Sequence, residues 1–256
     1  MIRRIVERIS RDRVLRRTLP EAFGSTPIYV SPDSQLSYLR AGPGAWDSEL
    51  LRIAQEQIKI DSLVWDIGAN IGVFAFAAAS IATQGHVLAV EPDVWLASIM
   101  RRSASLKQNA NLNIDILPAA ISDRSGVATF ATAKRGRASS YLEDAGGRSQ
   151  TGGIRDRTTV PTLTLDSLLT SQPPPGFLKI DVEGAELAVL QGALGVLRNA
   201  RPVIYVEVGA DHKTAIADIL SDNDYKMYDG SQAVIERHAI DICAYNTLAI
   251  PREAAQ

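Results

Sequence analysis

The residues best suited to chemistry surround a glycine turn that follows a short apolar run. The run Ser62–Ile67 leads into the turn Asp66-Ile-Gly-Ala-Asn-Ile-Gly72, and Glu91 follows 19 residues after Gly72. A strand, a glycine turn, a helix, a second strand and an acid are the layout of a nucleoside-binding α/β site, in which the acid accepts hydrogen bonds from ribose hydroxyls. The pattern therefore predicts a nucleoside-containing ligand at this turn.

The negative charge of Asp66, beside the turn, restricts which nucleoside-containing ligands could bind there. Dinucleotide turns carry three glycines in a G-x-G-x-x-G pattern and bring the main chain close to a pyrophosphate. This turn has only Gly68 and Gly72, and Asp66 precedes both. A carboxylate aimed into the turn would repel a pyrophosphate and attract a ligand with an ammonium group, such as S-adenosylmethionine. The pattern favours that cofactor over NAD or FAD, and the remaining alternative is a purely structural turn with Asp66 as a helix cap.

Several segments, in this order along the chain, resemble the FkbM family of S-adenosylmethionine-dependent methyltransferases. They are Val64–Gly72, Glu91-Pro92, Ala119–Asp123 with Gly126, Thr164–Asp166, Leu178–Glu186 and Arg201–Glu207. The resemblance covers about residues 60–210 and leaves out residues 1–45 and 132–158. It implies a class I methyltransferase fold and, usually, O-methylation of a hydroxyl on a small molecule, a glycan or a polyketide.

From residue 47 onward, the sequence predicts alternating strands and helices, and these elements would position the motifs. Apolar, strand-like runs alternate with helical patterns, which indicates a parallel sheet covered on both faces. The last two runs, 225–228 and 244–250, have no helix between them. We therefore expect an α/β, Rossmann-like class I methyltransferase fold with a seven-stranded, mostly parallel sheet, helices on both faces and an antiparallel C-terminal strand pair.

The predicted cofactor-binding residues lie at the carboxyl ends of these strands, where ligands of open α/β sheets bind. They should surround one crevice. The set is Asp66, Gly68, Ala69, Asn70, Gly72, Glu91, Pro92, Ala120 and Asp181.

Methyl transfer to oxygen needs alignment and a group that accepts the hydroxyl proton. The catalytic candidates are Asp181, Glu183, Glu207 and His212. An isolated loop histidine is more often simply solvated, and Lys179 could either pair with a carboxylate or extend to solvent. Clustered acids could also hold a divalent cation, but the resemblance requires no metal and none is predicted.

The first 46 residues have a different sequence pattern from the rest of the chain. Residues 1–17 hold seven arginines with isoleucines and a valine at helical spacing, which predicts a basic amphipathic helix. Its basic face would suit a membrane surface or an anionic partner, and the alternative is a helix packed on the domain with solvated arginines. Residues 20–46 contain four prolines and read as an irregular linker. The predicted division is 1–46 and a methyltransferase domain at 47–256.

A second unusual segment, residues 132–158, combines turn residues with six basic residues. A loop of this length inside a compact domain is usually either functional or disordered. It could form a mobile lid or contact an anionic substrate, and disorder is the alternative.

Composition excludes several classes of protein. The chain has 256 residues, 46% of them hydrophobic, a formal net charge of −2 and one cysteine. An intrachain disulfide is impossible, no Cys/His zinc spacing exists, and the charge argues against nucleic acid as a partner. No signal peptide is visible, so a cytoplasmic protein with a small-molecule or glycan substrate is expected. A nucleic-acid methyltransferase and an NAD-dependent oxidoreductase remain as alternative functions.

Overall fold

A computed structural model describes residues 9–145 and 152–255. Its strands are β1 Leu15–Thr18, β2 Pro27–Val30, β3 Leu63–Ile67, β4 His86–Val90, β5 Ile114–Leu117, β6 Ala120–Ile121, β7 Gly126–Ala133, β8 Tyr141–Leu142, β9 Ile154–Leu163, β10 Phe177–Ile180, β11 Val203–Glu207, β12 Tyr225–Asp229, β13 Ala239–Ile240 and β14 Asn246–Pro251. Its α-helices are α1 Ser48–Gln57, α2 Val73–Ile81, α3 Val94–Ala104, α4 Leu165–Leu168, α5 Glu186–Gln191 and α6 Lys213–Asp222.

The main sheet has the strand order β13-β12-β14-β11-β10-β3-β4-β5. The five strands β5, β4, β3, β10 and β11 are parallel, and β14 pairs antiparallel with both β11 and β12. This confirms the predicted fold class. The sheet contains the seven expected strands and gains an eighth, because the two residues of β13 pair with β12 at the edge. The strand order reverses between β3 and β10, and such a switch point is where ligands bind in open α/β sheets.

Helices cover both faces of this sheet because its central strands are apolar on both sides. The strands β3, β4, β10 and β11 are buried almost throughout. One face packs against α1, α2 and α3, and the other packs against α5 and α6. Helix α2 begins after the glycine turn and is buried along nearly its whole length. The turn is therefore held between a rigid strand and a rigid helix.

The prediction of a long loop at residues 132–158 is wrong at both ends of that segment, which lie in β7 and β9, and at the short strand β8. Strands β7 and β9 form a long antiparallel pair, and with β6 and β8 they make a four-stranded sheet of order β6-β9-β7-β8. Threonines and valines in both strands favour this pairing over the local turn signals. The predicted third strand, 113–120, is also divided, since β5 ends before Pro118 and Ala120 pairs with β9 in this second sheet.

The prediction of an irregular linker at residues 20–46 is likewise wrong for much of that segment. Strand β2 pairs antiparallel with β1, and Leu19, Phe23 and Ile28 are buried in the main hydrophobic cluster. Buried Asn109 donates to the main-chain carbonyl of Pro27 at 2.8 Å, which fixes β2 to the domain. Prolines at strand edges and in short turns do not prevent burial of the apolar residues between them.

The predicted basic helix lies only partly within the described residues. Residues 1–8 are outside them, and β1 makes the helix prediction wrong for residues 15–17. Contact of this segment with a membrane or an anionic partner stays a prediction. Among the described residues, no helix combines the length and apolar character needed to cross a membrane.

Replacing Phe23 with alanine tests whether the N-terminal segment belongs to the core. Phe23 is 2% exposed, so its truncation should lower the free energy of unfolding by about 3–5 kcal/mol in urea. Val127 is 74% exposed, and Val127→Ala should change stability by less than about 0.5 kcal/mol. A loss below about 1 kcal/mol for Phe23→Ala would mean that the segment packs only loosely.

Candidate active site

A cavity of about 230 Å³ opens at the carboxyl ends of β3, β4, β10 and β11. Nine of the residues proposed from the sequence line it, and they are Gly68, Ala69, Asn70, Glu91, Pro92, Ala120, Asp181, Glu183 and Glu207. Asp66, Gly72 and His212 are not among its lining residues. The structure thus brings most of the predicted site into one cavity and leaves these three residues outside its wall.

The glycine turn after β3 passes so close to the turn after β10 that a side chain at position 68 has no room. Gly68 has φ +76°, and a Cβ atom there would lie 1.8 Å from the main-chain oxygen of Asp181. The amide groups of Gly68 and Ala69 both donate to the carbonyl of Val90 at 3.0 Å. Glycine is required because the backbone is left-handed and meets another backbone at contact distance. The turn is therefore held against the neighbouring strands on both sides.

A buried ion pair joins β3 to β10 beneath the cavity. The Nζ of Lys179 lies 3.1 Å from Oδ1 of Asp66 and 3.6 Å from Oδ2 of Asp181. The side chain of Asp66 is fully buried and that of Lys179 is 3% exposed. Asp66 therefore lies behind the cavity wall, and Lys179, which lines the cavity, compensates its charge.

The pKa values of this pair follow from burial and from the neighbouring charges. Burial raises the pKa of Asp66, against the opposing effect of Lys179. Burial alone would lower the pKa of Lys179, but Asp66, Asp181 and Glu207 outweigh it and raise that pKa. Lys179 is therefore a cation at neutral pH and holds a positive charge next to Asp181.

Glu91 closes the cavity on the β4 side and holds the glycine turn. Its Oε2 accepts a hydrogen bond from the Asn70 amide at 2.8 Å, and its Oε1 accepts one from the Asp93 amide at 2.8 Å. Burial raises the pKa of Glu91 to about 8, with nearby Asp93 acting in the same direction and the two amides opposing it. Its carboxylate has acceptor sites left over, since a carboxylate offers about four lone-pair directions.

The acidic candidates lie at the other end of the cavity, near β10 and β11. Asp181 is partly accessible, with 26% of its side chain exposed. Glu183 has φ +52° in the turn after β10, and Glu207 Oε2 accepts a hydrogen bond from the Tyr245 hydroxyl at 2.8 Å. His212 ends a 3-10 turn before α6. Asp181, Glu183 and Glu207 line the cavity together, and His212 stands apart from them.

A cluster of charges that the sequence analysis did not identify closes the cavity from above. Arg137 donates to Asp33 at 3.0 Å and to Asp93 at 2.6 Å, and its guanidinium lies 4.4 Å from the centre of the Trp95 ring. Arg155 donates to the same Asp33 at 2.8 Å. We call Arg137, Arg155, Asp33 and Asp93 the arginine clasp. It ties the N-terminal segment, the start of α3 and the second sheet together above the glycine turn.

The N-terminal segment and the start of α1 also line the cavity. Gln35 and Tyr38 come from the segment that was predicted to be an irregular linker, and Asp47 and Leu50 come from the start of α1. Ser34 joins the N-terminal segment to the turn by a hydrogen bond of 2.5 Å to Asn70. The Asp47 carboxylate caps α1 by accepting from the amides of Glu49 and Leu50. No sequence signal placed these residues over the sheet.

Replacing Lys179 with methionine tests the buried ion pair. The change leaves Asp66 buried without its cation, so the free energy of unfolding should fall by about 3–5 kcal/mol at neutral pH. Because burial raises the pKa of Asp66, this carboxyl takes up a proton as the pH falls, and the loss should be smaller at about pH 5 than at about pH 8. Urea unfolding at both values measures it.

The control for this variant is Lys179→Met combined with Asp66→Asn, which removes both charges. It should recover most of the lost stability, because a neutral pair leaves no buried charge without compensation. Equal losses in the single and double variants would contradict the ion pair.

Known proteins with similar sequences or structures agree with this geometry. A model of the FkbM methyltransferase domain matches residues 66–227. The hexuronic acid methyltransferase AglP of Haloferax volcanii is 28% identical over 170 residues, which are 65% of this chain and 65% of that protein. The chain thus spans just under two thirds of the length of this relative.

Two solved structures are similar to this chain at low sequence identity. The precorrin-6y C5,15-methyltransferase of Geobacter metallireducens is 14% identical with a TM-score of 0.47, over 80% of this chain and 88% of that chain. The methyltransferase FkbM of Methylobacillus flagellatus is 15% identical with a TM-score of 0.45, over 85% of this chain and 58% of that chain.

The family model covers more than half of the chain and includes both motif-bearing turns, those of Gly68 and Asp181. It confirms the resemblance that the motifs indicated, and with it the cofactor. The chain belongs to the FkbM family of methyltransferases, which take their methyl group from S-adenosylmethionine.

Proposed function

We propose that the chain O-methylates a hydroxyl of a sugar or glycan, with Asp181 as the group that accepts the hydroxyl proton. The observation that carries this proposal is the half-buried Asp181 carboxylate, which lines the cavity and lies 3.6 Å from the Lys179 ammonium. A relative that is named for methylation of a hexuronic acid supports a sugar acceptor. A polyketide hydroxyl is the other acceptor that the FkbM likeness suggests.

The residues around the glycine turn fit the cofactor. Glu91 has carboxylate acceptor sites for two ribose hydroxyls, and Pro92 and Ala120 provide apolar wall on the same side. Gly68, Ala69 and Asn70 leave backbone, instead of bulky side chains, along the middle of the cavity. The acids at the far end suit the positive charges of the methionine part. Asp66 and Gly72 would act indirectly, through Lys179 and through the shape of the turn.

When bound, S-adenosylmethionine supplies a methyl group on a positively charged sulfur, which is already a good leaving group. The chain must then align a hydroxyl with that methyl group and remove its proton. Asp181 accepts the proton, with the ammonium group of Lys179 3.6 Å from its carboxylate. Glu207 and Glu183 orient the acceptor, and His212 has no direct part because it does not line the cavity.

A nucleic-acid substrate fits this cavity poorly. Five of the lining side chains are carboxylates, those of Asp47, Glu91, Asp181, Glu183 and Glu207, and only two are cations, those of Arg137 and Lys179. Such a lining repels a phosphate backbone, which nucleic-acid enzymes bind through arginine and lysine. A small polyhydroxyl acceptor needs no such basic surface.

Asp181→Asn separates catalysis from cofactor binding. Loss of the proton acceptor should lower kcat by about 100- to 10,000-fold, while the Kd of S-adenosylhomocysteine stays within about twofold. Asp211→Asn, at an exposed carboxylate outside the cavity, is the matched control and should keep full activity.

Mass spectrometry of a sugar panel should show a gain of about 14 Da that survives mild alkali, as an ether does and an ester does not. Unchanged kcat in Asp181→Asn, or an alkali-labile product, would contradict the proposal.

The raised pKa of Glu91 makes cofactor binding depend on pH. Ribose hydroxyls donate to the ionised carboxylate, so binding should strengthen as the pH rises through the pKa of about 8. Calorimetry with S-adenosylhomocysteine should show about tenfold tighter binding at pH 9 than at pH 7, after correction for the ligand's own titration. Glu91→Gln supplies that correction and should lack the gain. Identical pH profiles for the two proteins would remove Glu91 from ribose binding.

A further inference from the structure

The order of the strands in the main sheet indicates which end of the cavity binds the nucleoside and which end holds the reacting groups. Glu91 at the end of β4 marks the nucleoside end, and Asp181 at the end of β10 marks the reacting end. The next strand along the sheet is β11, with Glu207 at its carboxyl end. The acceptor must therefore approach from the β11 side. This step rests on the proposed function, because it takes Asp181 as the proton acceptor.

Contacts between side chains put the N-terminal segment on that same side. The Oε1 of Glu49 accepts hydrogen bonds from the Tyr205 hydroxyl of β11 at 2.9 Å and from Asn246 of β14 at 2.6 Å. Asp47 is close enough to Tyr38 and Tyr205 to raise the pKa of both, in each case after the larger effect of burial. The lining residues Tyr38, Asp47 and Leu50 therefore face the acceptor end.

Tyr38 is the most informative of these residues. It is 5% exposed, lines the cavity, and packs against Trp46 with ring centres 6.0 Å apart. Within the part of the chain that the structure describes, the hydrogen bonds of Tyr38 involve its main chain. Its amide donates to the Gln35 carbonyl, and its carbonyl accepts from the Arg17 side chain. Its hydroxyl makes no hydrogen bond within the described residues, and its oxygen is not one of the fully buried polar atoms, so it can pair with a molecule bound in the cavity.

The protonation state of Tyr38 makes it a donor. Burial raises the pKa of Tyr38, and the nearby carboxylate of Asp47 raises it further. The hydroxyl therefore keeps its proton at any pH at which the enzyme works. It can donate to an ether or hydroxyl oxygen of a bound molecule.

Apart from the Gln35 amide and the Lys179 ammonium, the other groups at this end accept hydrogen bonds or are apolar. Carboxylates of Asp47, Asp181 and Glu207 accept from hydroxyls, and Leu50 presents an apolar surface. A pyranose ring matches this set, because it carries several neighbouring hydroxyls, a ring oxygen that only accepts, and faces of C–H groups. A flat phenol would leave most of these polar groups unpaired.

We propose that Tyr38, with Gln35, Asp47 and Leu50, forms the acceptor subsite, and that this subsite binds a pyranose ring with the Tyr38 hydroxyl donating to a ring or hydroxyl oxygen. The N-terminal segment then selects the acceptor, whereas the residues at the ends of β3 and β4 hold the cofactor.

Tyr38→Phe tests this assignment because it removes only the hydroxyl and keeps the ring that packs on Trp46. The probes are the methyl α-pyranosides of glucose, galactose and mannose together with glucuronic acid, observed by saturation-transfer NMR in the presence of S-adenosylhomocysteine. Binding of the best probe should weaken about fivefold in Tyr38→Phe, the effect of one neutral hydrogen bond. The Kd of S-adenosylhomocysteine and the melting temperature should not change.

Two further variants complete the test. Tyr29→Phe is the matched control, because Tyr29 lies in the same N-terminal segment but outside the cavity, against Arg102. It should bind the probes as the natural chain does. Gln35→Ala changes an exposed lining residue with no risk to the core, and it should also weaken the best probe.

The alternative outcomes separate the two proposals. Sugar binding that is equal in Tyr38→Phe and the natural chain would overturn the subsite and leave the O-methylation proposal standing. Weaker binding of S-adenosylhomocysteine to Tyr38→Phe, with unchanged sugar binding, would also overturn the subsite. It would assign Tyr38 to the cofactor instead. Absence of both pyranoside binding and sugar methylation in the natural chain would overturn both proposals.

Discussion

The buried ion pair between Asp66 and Lys179 is the constraint on which the site depends. It joins two strands that are neighbours in the sheet and 113 residues apart in the sequence. A charge pair so deeply buried is tolerated only when each charge is closely compensated. Strands β3 and β10 pair in register with Lys179 opposite Asp66, so the turns that follow them meet at contact distance, and Gly68 is the residue that this approach requires. The same lysine holds its charge beside Asp181 in the cavity.

Two separate parts of the chain complete the site around this centre. The N-terminal segment covers the β11 side of the cavity, and the second sheet covers the Glu91 side. The arginine clasp fixes both parts, since Asp33 of the first accepts from Arg137 and Arg155 of the second. On the proposed assignment, the class I sheet supplies the cofactor half of the site and these additions shape the remaining half. Such a division is consistent with one fold serving many acceptors.

The sequence predicted the fold and most of the residues that line the cavity, because local patterns encode them. A glycine turn after an apolar strand marks Gly68, and an acid at the end of the next strand marks Glu91. The prediction failed where long-range pairing decides the structure. Nothing local shows that Asp66 pairs with Lys179, so the charge argument reached the right cofactor without the buried cation that compensates this carboxylate. Turn-rich composition likewise concealed β9 and the buried Phe23, because tertiary burial overrides local propensity.

A crystal structure with S-adenosylhomocysteine bound would test the central claim most directly, namely that one cavity at the junction of β3 and β10 holds the cofactor between Glu91 and Asp181. We predict ribose hydroxyls within about 3.2 Å of the Glu91 carboxylate, the sulfur directed to the Asp181 end, and Lys179 still bonded to Asp66. A ligand bound elsewhere, or a Lys179 that has left Asp66 to contact the ligand, would contradict the account.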